Sequence, residues 1–119
     1  MTELTALESA VIDVLLPDDL PEAAILREQL RSARVSSREM TGVGFFTEFT
    51  LSGDAPVLPE NRSLHLGNVA ATCPDVEHGM GFVLFVREGK ITMLEGYTYD
   101  EPWPDELGEF QVLPAKLQK

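Results

Sequence analysis

The stretch that decides the fold is GFVLFVREGKITMLEGYTY, residues 81–99. Two runs rich in β-branched and aromatic residues flank the segment Glu88–Gly89–Lys90. Gly89 can adopt the left-handed backbone conformation that such a short loop requires. After these runs the prolines at positions 102 and 104 end the ladder, because proline has no N–H to donate. The pattern therefore predicts a β-hairpin.

Three segments before this hairpin show the period of two that is typical of strands. Residues 44–52 alternate most clearly, after a glycine-rich bend at 41–44. Residues 33–41 are more polar and predict a strand at the edge of the sheet. Residues 63–73 resume the extended pattern, and Gly67 within them is a candidate β-bulge. Together with the hairpin, these segments give about five strands.

An amphipathic helix is predicted before the strands. Within residues 2–17, leucines and valines recur at spacings of three and four, which places them on one stripe. Thr2 or Thr5 could cap this helix, and Thr5 has Glu8 three residues later, as a capping box requires. Pro17 ends the helix, because proline disfavours helical backbone at the residue before it.

A second, shorter helix is predicted directly after the first. Asp18 or Asp19 is the expected N-cap, and Pro21 fits the first turn. The segment PDELGEF, residues 104–110, is interpreted as one helical turn, and the tail after it has no clear pattern. These features predict a single α+β domain, residues 1–119, with two N-terminal helices packed on one face of a mostly antiparallel sheet of about five strands.

The charge of the chain is strongly negative and concentrated at its two ends. The formal net charge is −11, with −6 on residues 1–30, −1 on residues 31–94 and −4 on residues 95–119. A nucleic-acid binder needs lysine and arginine to neutralise phosphates, so neither nucleic acid nor an anionic membrane is an expected partner. A basic protein partner is compatible with this charge.

The location expected from the sequence is the cytoplasm. The longest apolar runs span only a few residues, far short of the roughly 20 that a membrane helix needs. The first ten residues contain no basic start followed by an apolar stretch, so no signal peptide is expected. The single cysteine, Cys73, cannot form an internal disulfide.

No metal, cofactor or catalytic residue is predicted. The segment CPDVEHG gathers Cys73, Asp75, Glu77 and His78, with His65 on the preceding strand, but no zinc-ligand spacing organises them. Nucleophilic catalysis would need Cys73 activated by a histidine base, and the negative charge of the chain works against a thiolate. A loop with a buried thiol at the end of a strand is the expected arrangement.

The segment after the hairpin predicts an interaction surface. Aromatic side chains dominate binding hot spots, and flanking carboxylates would steer a basic partner. An alternative is that Trp103, held between two prolines, closes one end of the core instead of contacting a partner. The candidate interaction surface consists of Tyr97, Tyr99, Asp100, Glu101, Trp103, Asp105 and Glu106.

Glu95 is the charged residue that is hardest to explain as part of a solvated surface. It follows Ile91 and Met93 at alternate positions, which predicts an apolar face and a partner such as Arg87, Arg62 or a backbone N–H. With Glu48 on a neighbouring strand it could form a carboxylate pair. The alternative functional interpretation is a pocket between helices and sheet that contains Glu95, Tyr97 and His65.

An apolar patch is predicted on the face of the sheet opposite Phe45. Phe46, Val83 and Phe85 lie on this face if the helices cover only one side of the sheet. An exposed patch of this kind indicates a partner site or self-association, so a homodimer is one expectation.

The motifs GVGFFTEF and LEGYTYDEPWP resemble a group of small, functionally uncharacterised bacterial proteins. In that group a Gly-x-Gly-Phe-Phe-Thr strand precedes a hairpin that ends in a Leu-Glu-x-Tyr and Trp-Pro pattern. The matching parts are residues 42–49 and 81–104. The resemblance implies a shared fold and no activity, cofactor or catalytic residue. As a small acidic α+β protein, the chain also resembles immunity proteins, which inactivate toxins by covering them. The expected function is therefore a non-enzymatic, acidic protein-interaction module.

Overall fold

A computed structural model describes residues 4–114 of the chain and contains two helices and six strands. The elements are α1 (Ala6–Leu15), α2 (Ala23–Ser32), β1 (Arg34–Met40), β2 (Gly44–Thr50), a short 3-10 helix (Pro59–Asn61), β3 (Leu64–Cys73), β4 (Val76–Arg87), β5 (Lys90–Thr98) and β6 (Gln111–Pro114). The α+β class is as predicted. No helix within residues 4–114 combines the length and apolarity needed to cross a bilayer.

The two helices differ at their N-termini: α1 has a side-chain cap and α2 has none. Thr5 caps α1 with the predicted capping box: the Glu8 N–H donates to the Thr5 hydroxyl at 3.1 Å, and the Thr5 N–H donates to Glu8 Oε1 at 2.8 Å. The predicted caps of the second helix, Asp18 and Asp19, are wrong, because α2 begins later, with Glu22 at its N-cap and no side-chain cap bond. Pro21 consequently precedes α2 instead of occupying its first turn.

The strands form one sheet in the order β1-β2-β5-β4-β3-β6, and every neighbouring pair is antiparallel. The predicted hairpin is its centre: β4 and β5 are joined by Glu88 and Gly89, both with positive φ, of 52° and 81°. The prediction of Gly67 as a bulge is confirmed by a register shift between Leu66 and Val69.

The C-terminal segment corrects two expectations. The predicted number of about five strands is too low, because residues 111–114 form a sixth strand that pairs with β3. Residues 104–110 contain no helical turn and run irregularly toward that strand. A four-residue strand has little periodicity of its own, so its pairing partner decides its structure.

A single cluster of buried apolar residues joins the helices to the sheet. Helix α1 contacts β3, β4 and β6, and α2 contacts β5. Alternate residues of the strands, such as Phe82 and Leu84 in β4, are buried in this cluster together with Val11 of α1 and Leu26 of α2. We call this set of residues the core cluster.

One buried carboxylate ties α1 to the sheet. Glu8 is 1% exposed and accepts hydrogen bonds from Arg38 Nε at 2.9 Å, from Arg38 Nη2 at 2.7 Å and from the Thr47 hydroxyl at 2.6 Å. Burial by itself would raise the pKa of Glu8, but hydrogen bonds from Arg38, Thr47 and the Thr5 N–H outweigh it and lower that pKa. Glu8 therefore fixes the helix on β1 and β2 as well as capping it.

A buried amide ties α2 to the central hairpin. Gln29 is fully buried, and its Nε2 donates to the carbonyl oxygens of Pro56 and Gly89, both at 2.8 Å. Its Oε1 accepts from the Ile91 N–H at 2.9 Å. Because both amide protons and the amide oxygen have partners, this polar group carries no unpaired desolvation cost.

Candidate functional site: the open face and the acidic rim

Apolar and aromatic side chains outside the core cluster occupy the opposite side of the central strands. Phe46 lies opposite Glu95, Glu95 lies opposite Val83, and Phe85 lies opposite Met93. These side chains are half-buried, and Tyr99 is 45% exposed. We call this surface the open face, and it consists of Phe46, Val83, Phe85, Met93, Glu95, Tyr97 and Tyr99.

Two tyrosines of the open face lie over a glycine in the next strand. The rings of Tyr97 and Tyr99 meet edge to face, with centroids 5.5 Å apart. A Cβ atom on Gly81 would lie 2.6 Å from the hydroxyl oxygens of both tyrosines, so only glycine leaves room for them. Burial, a hydrogen bond with Tyr99 and the nearby negative charge of Glu95 raise the pKa of Tyr97.

Glu95 lies at the centre of the open face and has no partner among the described residues. Among residues 4–114 no hydrogen bond or ion pair reaches its carboxylate. The predicted partners do not contact it: Arg62 pairs with Glu22 instead. Ile91, which was expected on the same face, is buried in the core cluster, because a register shift between Phe85 and Val86 reverses the alternation of β5 there.

The other sequence-predicted pocket residues are only partly brought together. Tyr97 follows Glu95 by two positions on the same strand and face, whereas His65 lies two strands away from β5, edge-on to Phe85 with ring centroids 4.7 Å apart. Glu48 lies opposite Met93, diagonal to Glu95, at the roughly 7–8 Å typical of such positions. The arrangement is a sheet surface that carries two carboxylates.

An acidic segment borders the open face beyond Tyr99. The Glu101 carboxylate accepts hydrogen bonds from the backbone N–H groups of Glu77 and His78 at 3.0 and 2.8 Å, which lower its pKa. Glu101 thus joins its own loop to the β3–β4 turn and is not available as a simple surface charge. We call the exposed carboxylates gathered here the acidic rim: Asp75, Glu77, Asp100, Asp105, Glu106 and Glu109.

The acidic rim contains two residues from outside the predicted interaction surface. Asp75 and Glu77 belong to the segment CPDVEHG, for which no metal site is predicted, and the β3–β4 turn brings them toward the carboxylates of residues 100–109. No lysine or arginine occurs in residues 73–78 or 99–110. Only the strand alternation in the sequence could have predicted this position. If β3 pairs with the hairpin strand β4, the turn between them lies at the same end of the sheet as residues 99–110.

Trp103 contacts the core cluster instead of the open face. Its ring lies edge-on to Phe45 with centroids 5.2 Å apart, and edge-on to Phe82 at 6.4 Å. The Trp103 backbone N–H donates to the Gly42 carbonyl at 2.8 Å. This placement favours the interpretation of Trp103 as a side chain that closes one end of the core.

The remaining candidates form no reactive arrangement in the part of the chain that is described. Cys73 is buried, and no group of three or more His, Cys, Asp or Glu residues there is placed to hold a metal ion. A groove of about 840 Å³ lies between the ends of the helices and the start of β1, at the opposite end of the sheet from the acidic rim. Arg31 and Arg34 are its charged residues, and Glu95 does not line it.

Comparison with protein-family models, curated proteins and solved structures finds no match to this chain.

Proposed function

We propose that this protein is a non-enzymatic interaction module that binds a basic protein partner, in the manner of an immunity protein. The open face and the acidic rim form the docking surface of this proposal. A cytoplasmic location is part of the same proposal. The observation that carries it is an aromatic, half-buried surface whose last tyrosine, Tyr99, leads directly into an exposed acidic segment with no lysine or arginine in residues 99–110.

The composition of the open face supports binding by contact area. Tyrosine and phenylalanine bury large areas at little entropic cost, and they are enriched where protein partners meet. Half-buried apolar side chains that lie outside the core cluster would gain further burial when a partner covers them. The grooves described within residues 4–114 are not lined by Glu95 or Tyr97, whereas metabolite sites are typically concave, so a protein suits this surface better.

The distribution of charge supports a basic partner. Strand β4 begins beside the acidic rim at Val76 and ends at Arg87, close to Lys90, so the acidic rim and this mixed end, which also carries Glu88, lie about 35 Å apart. Such a separation of charge orients an approaching cationic protein toward the rim and raises its association rate. At high ionic strength this steering is screened.

Charge reversal at the acidic rim tests the proposal. Lysine replaces Asp100, Asp105 and Glu106 in one variant, and it replaces the exposed Asp18, Asp19 and Glu28 in a matched control of equal net charge. Both variants and the wild type, carrying an affinity tag, are used to capture proteins from the native host at low and high salt. Glu101 stays unchanged because its carboxylate holds the β3–β4 turn.

The expected result is a basic protein captured by the wild type and by the control but lost from the rim variant. Its association rate with the wild type should fall at least tenfold between low and 0.5 M salt. Capture of the same proteins by both variants, or of none by the wild type, would refute a partner that docks at the rim.

A further inference from the structure

We propose that the open face binds an arginine side chain of the basic partner and that Glu95 is its counter-ion. This inference rests on the function proposed above and adds to it the chemistry of the contact. It follows from three features of the open face: a carboxylate with no partner within residues 4–114, aromatic rings beside it, and an electrostatic bias against other occupants.

The carboxylate of Glu95 stands among apolar neighbours. Phe46 and Val83 flank it on the adjacent strands, and Tyr97 follows it on the same face. A partly desolvated carboxylate without a partner loses hydration and gains nothing in return. A cation that docks over it restores this loss, so the contact with Glu95 should be more favourable than one with a fully hydrated carboxylate.

The aromatic rings beside Glu95 favour arginine over lysine. A guanidinium is planar, is weakly hydrated and stacks on aromatic faces while it donates two parallel hydrogen bonds to a carboxylate. Tyr97 and Phe46 supply rings on two sides of Glu95, and the Tyr97–Tyr99 pair is held in place over Gly81. The same fork occurs within this protein, where Arg38 contacts both carboxylate oxygens of Glu8.

Charge argues against a second copy of this chain as the occupant. Glu95, Glu48 and Glu39 all lie on this side of β1, β2 and β5, and Glu39 lies opposite Phe46. The cations on this side of the sheet, Arg34, Arg87 and Lys90, lie toward the end away from Tyr97 and Tyr99. Each copy also has a net charge of −11, which adds long-range repulsion.

The test is a titration of the protein, residues 1–119 labelled with ¹⁵N, with two peptides of equal charge. The probes are acetyl-(Arg-Gly)₄-amide and acetyl-(Lys-Gly)₄-amide, and amide shifts are followed in residues 81–83 and 94–97. The variant Glu95→Gln removes the counter-ion and keeps the shape of the side chain. The control Glu48→Gln removes an equal charge from the same face, at a more exposed position.

We expect saturable shifts at the open face that are at least fivefold tighter for the arginine peptide than for the lysine peptide. Glu95→Gln should weaken arginine binding about tenfold, as expected for the loss of a charge-assisted hydrogen bond. Glu48→Gln should change it less than twofold. Equal melting temperatures of the two variants would show that the loss at Glu95 is not a loss of folding.

Three results would overturn the arginine site. Equal binding of both peptides, with shifts confined to residues 99–110, would assign all recognition to the acidic rim and leave the proposed function intact. Shifts of the open face on dilution of the protein alone would assign that face to a second copy. No shift at the open face with either peptide would remove the site, while the rim-reversal experiment would still judge the proposed function separately.

Discussion

The two sides of the sheet each hold a glutamate among apolar neighbours, and the protein treats these carboxylates differently. On the helix side, Glu8 is almost completely buried and has hydrogen bonds from two side chains of the sheet and from the backbone. On the open face, Glu95 is half-buried and has no partner among residues 4–114. One carboxylate is satisfied within the fold, and the other has no donor among the described residues.

The difference teaches how to separate a structural carboxylate from a candidate binding residue. Burial alone does not distinguish them, because both glutamates have apolar neighbours. The deciding quantity is the number of donors that the fold provides, since a buried charge is retained only when its lost hydration is replaced. Four predictions test this distinction. Each states how much a side chain at a given position contributes to the free energy of unfolding.

The largest effect is expected for Glu8→Gln. The variant removes the negative charge that pairs with Arg38 at the junction of α1 and β1, and breaking one side of a buried pair costs about 3–5 kcal/mol. Urea unfolding followed by circular dichroism should show a loss of this order in the free energy of unfolding. The matched variant Glu28→Gln, whose pair with Arg31 is exposed, should lose less than about 0.5 kcal/mol. Similar losses in both variants would contradict the structural role of Glu8.

Trp103→Ala should be next in size. The ring packs edge-on against Phe45 and Phe82, and removal of a large aromatic side chain from a partly buried position should cost about 2–3 kcal/mol. Trp103→Phe should recover most of this loss in the same urea experiment. A variant with unchanged stability that no longer bound a basic partner would instead make Trp103 an interface anchor.

Acid should remove the contribution of Glu8. Its folded-state pKa is lowered despite burial, through its hydrogen bonds with Arg38, Thr47 and Thr5, so its stabilisation is complete above the ordinary glutamate pKa of about 4.3. This stabilisation is lost as the pH falls through the lowered value. The stability gap between the wild type and Glu8→Gln should therefore be constant from pH 7 to 5 and narrow below pH 4. A gap independent of pH down to 2.5 would contradict this linkage. The lowered pKa of Glu101 affects both proteins alike.

The smallest effect is expected for Glu95→Gln in the isolated protein. Because no donor within the described chain contacts this carboxylate, its loss should change the free energy of unfolding by less than about 0.5 kcal/mol. The same urea experiment measures it. A loss above 2 kcal/mol would mean that Glu95 has an internal partner, and it would place Glu95 in the same class as Glu8.

Local patterns predicted the centre of the fold, and long-range contacts decided the rest. The hairpin, the Thr5 cap and the side of the sheet that carries Phe46 depend on residues close in sequence, so they could be predicted. The sixth strand could not, because Gln111–Pro114 becomes extended only by pairing with β3. The later start of α2 likewise follows from a turn in which the Leu20 N–H donates to the Pro17 carbonyl.

The sequence predicted most of the residues that form the candidate site, but not what each of them contacts. The tyrosines and acids of residues 97–106 were identified from the sequence, and most of them lie at the open face or the acidic rim. The role of Glu101 depends on backbone N–H groups more than 20 positions earlier. The register shift that buries Ile91 and leaves Glu95 alone is a property of two paired strands, which a single strand does not reveal.

The order of the strands has a consequence for how the chain reaches this structure. Strands β1 and β2 pair locally, as do β3, β4 and β5, but the seam between β2 and β5 joins Phe46 to a residue 49 positions later. Pairing of β2 with β5 closes a long loop, and the entropic cost of this closure precedes the stabilising contacts. We therefore expect it to be the slow step in folding. At this seam a Cβ on Gly44 would lie 2.0 Å from the Gly96 carbonyl oxygen. A bulkier residue at position 44 would slow the pairing of β2 with β5. The unpaired edges of these two strands would then stay exposed for longer, which favours aggregation.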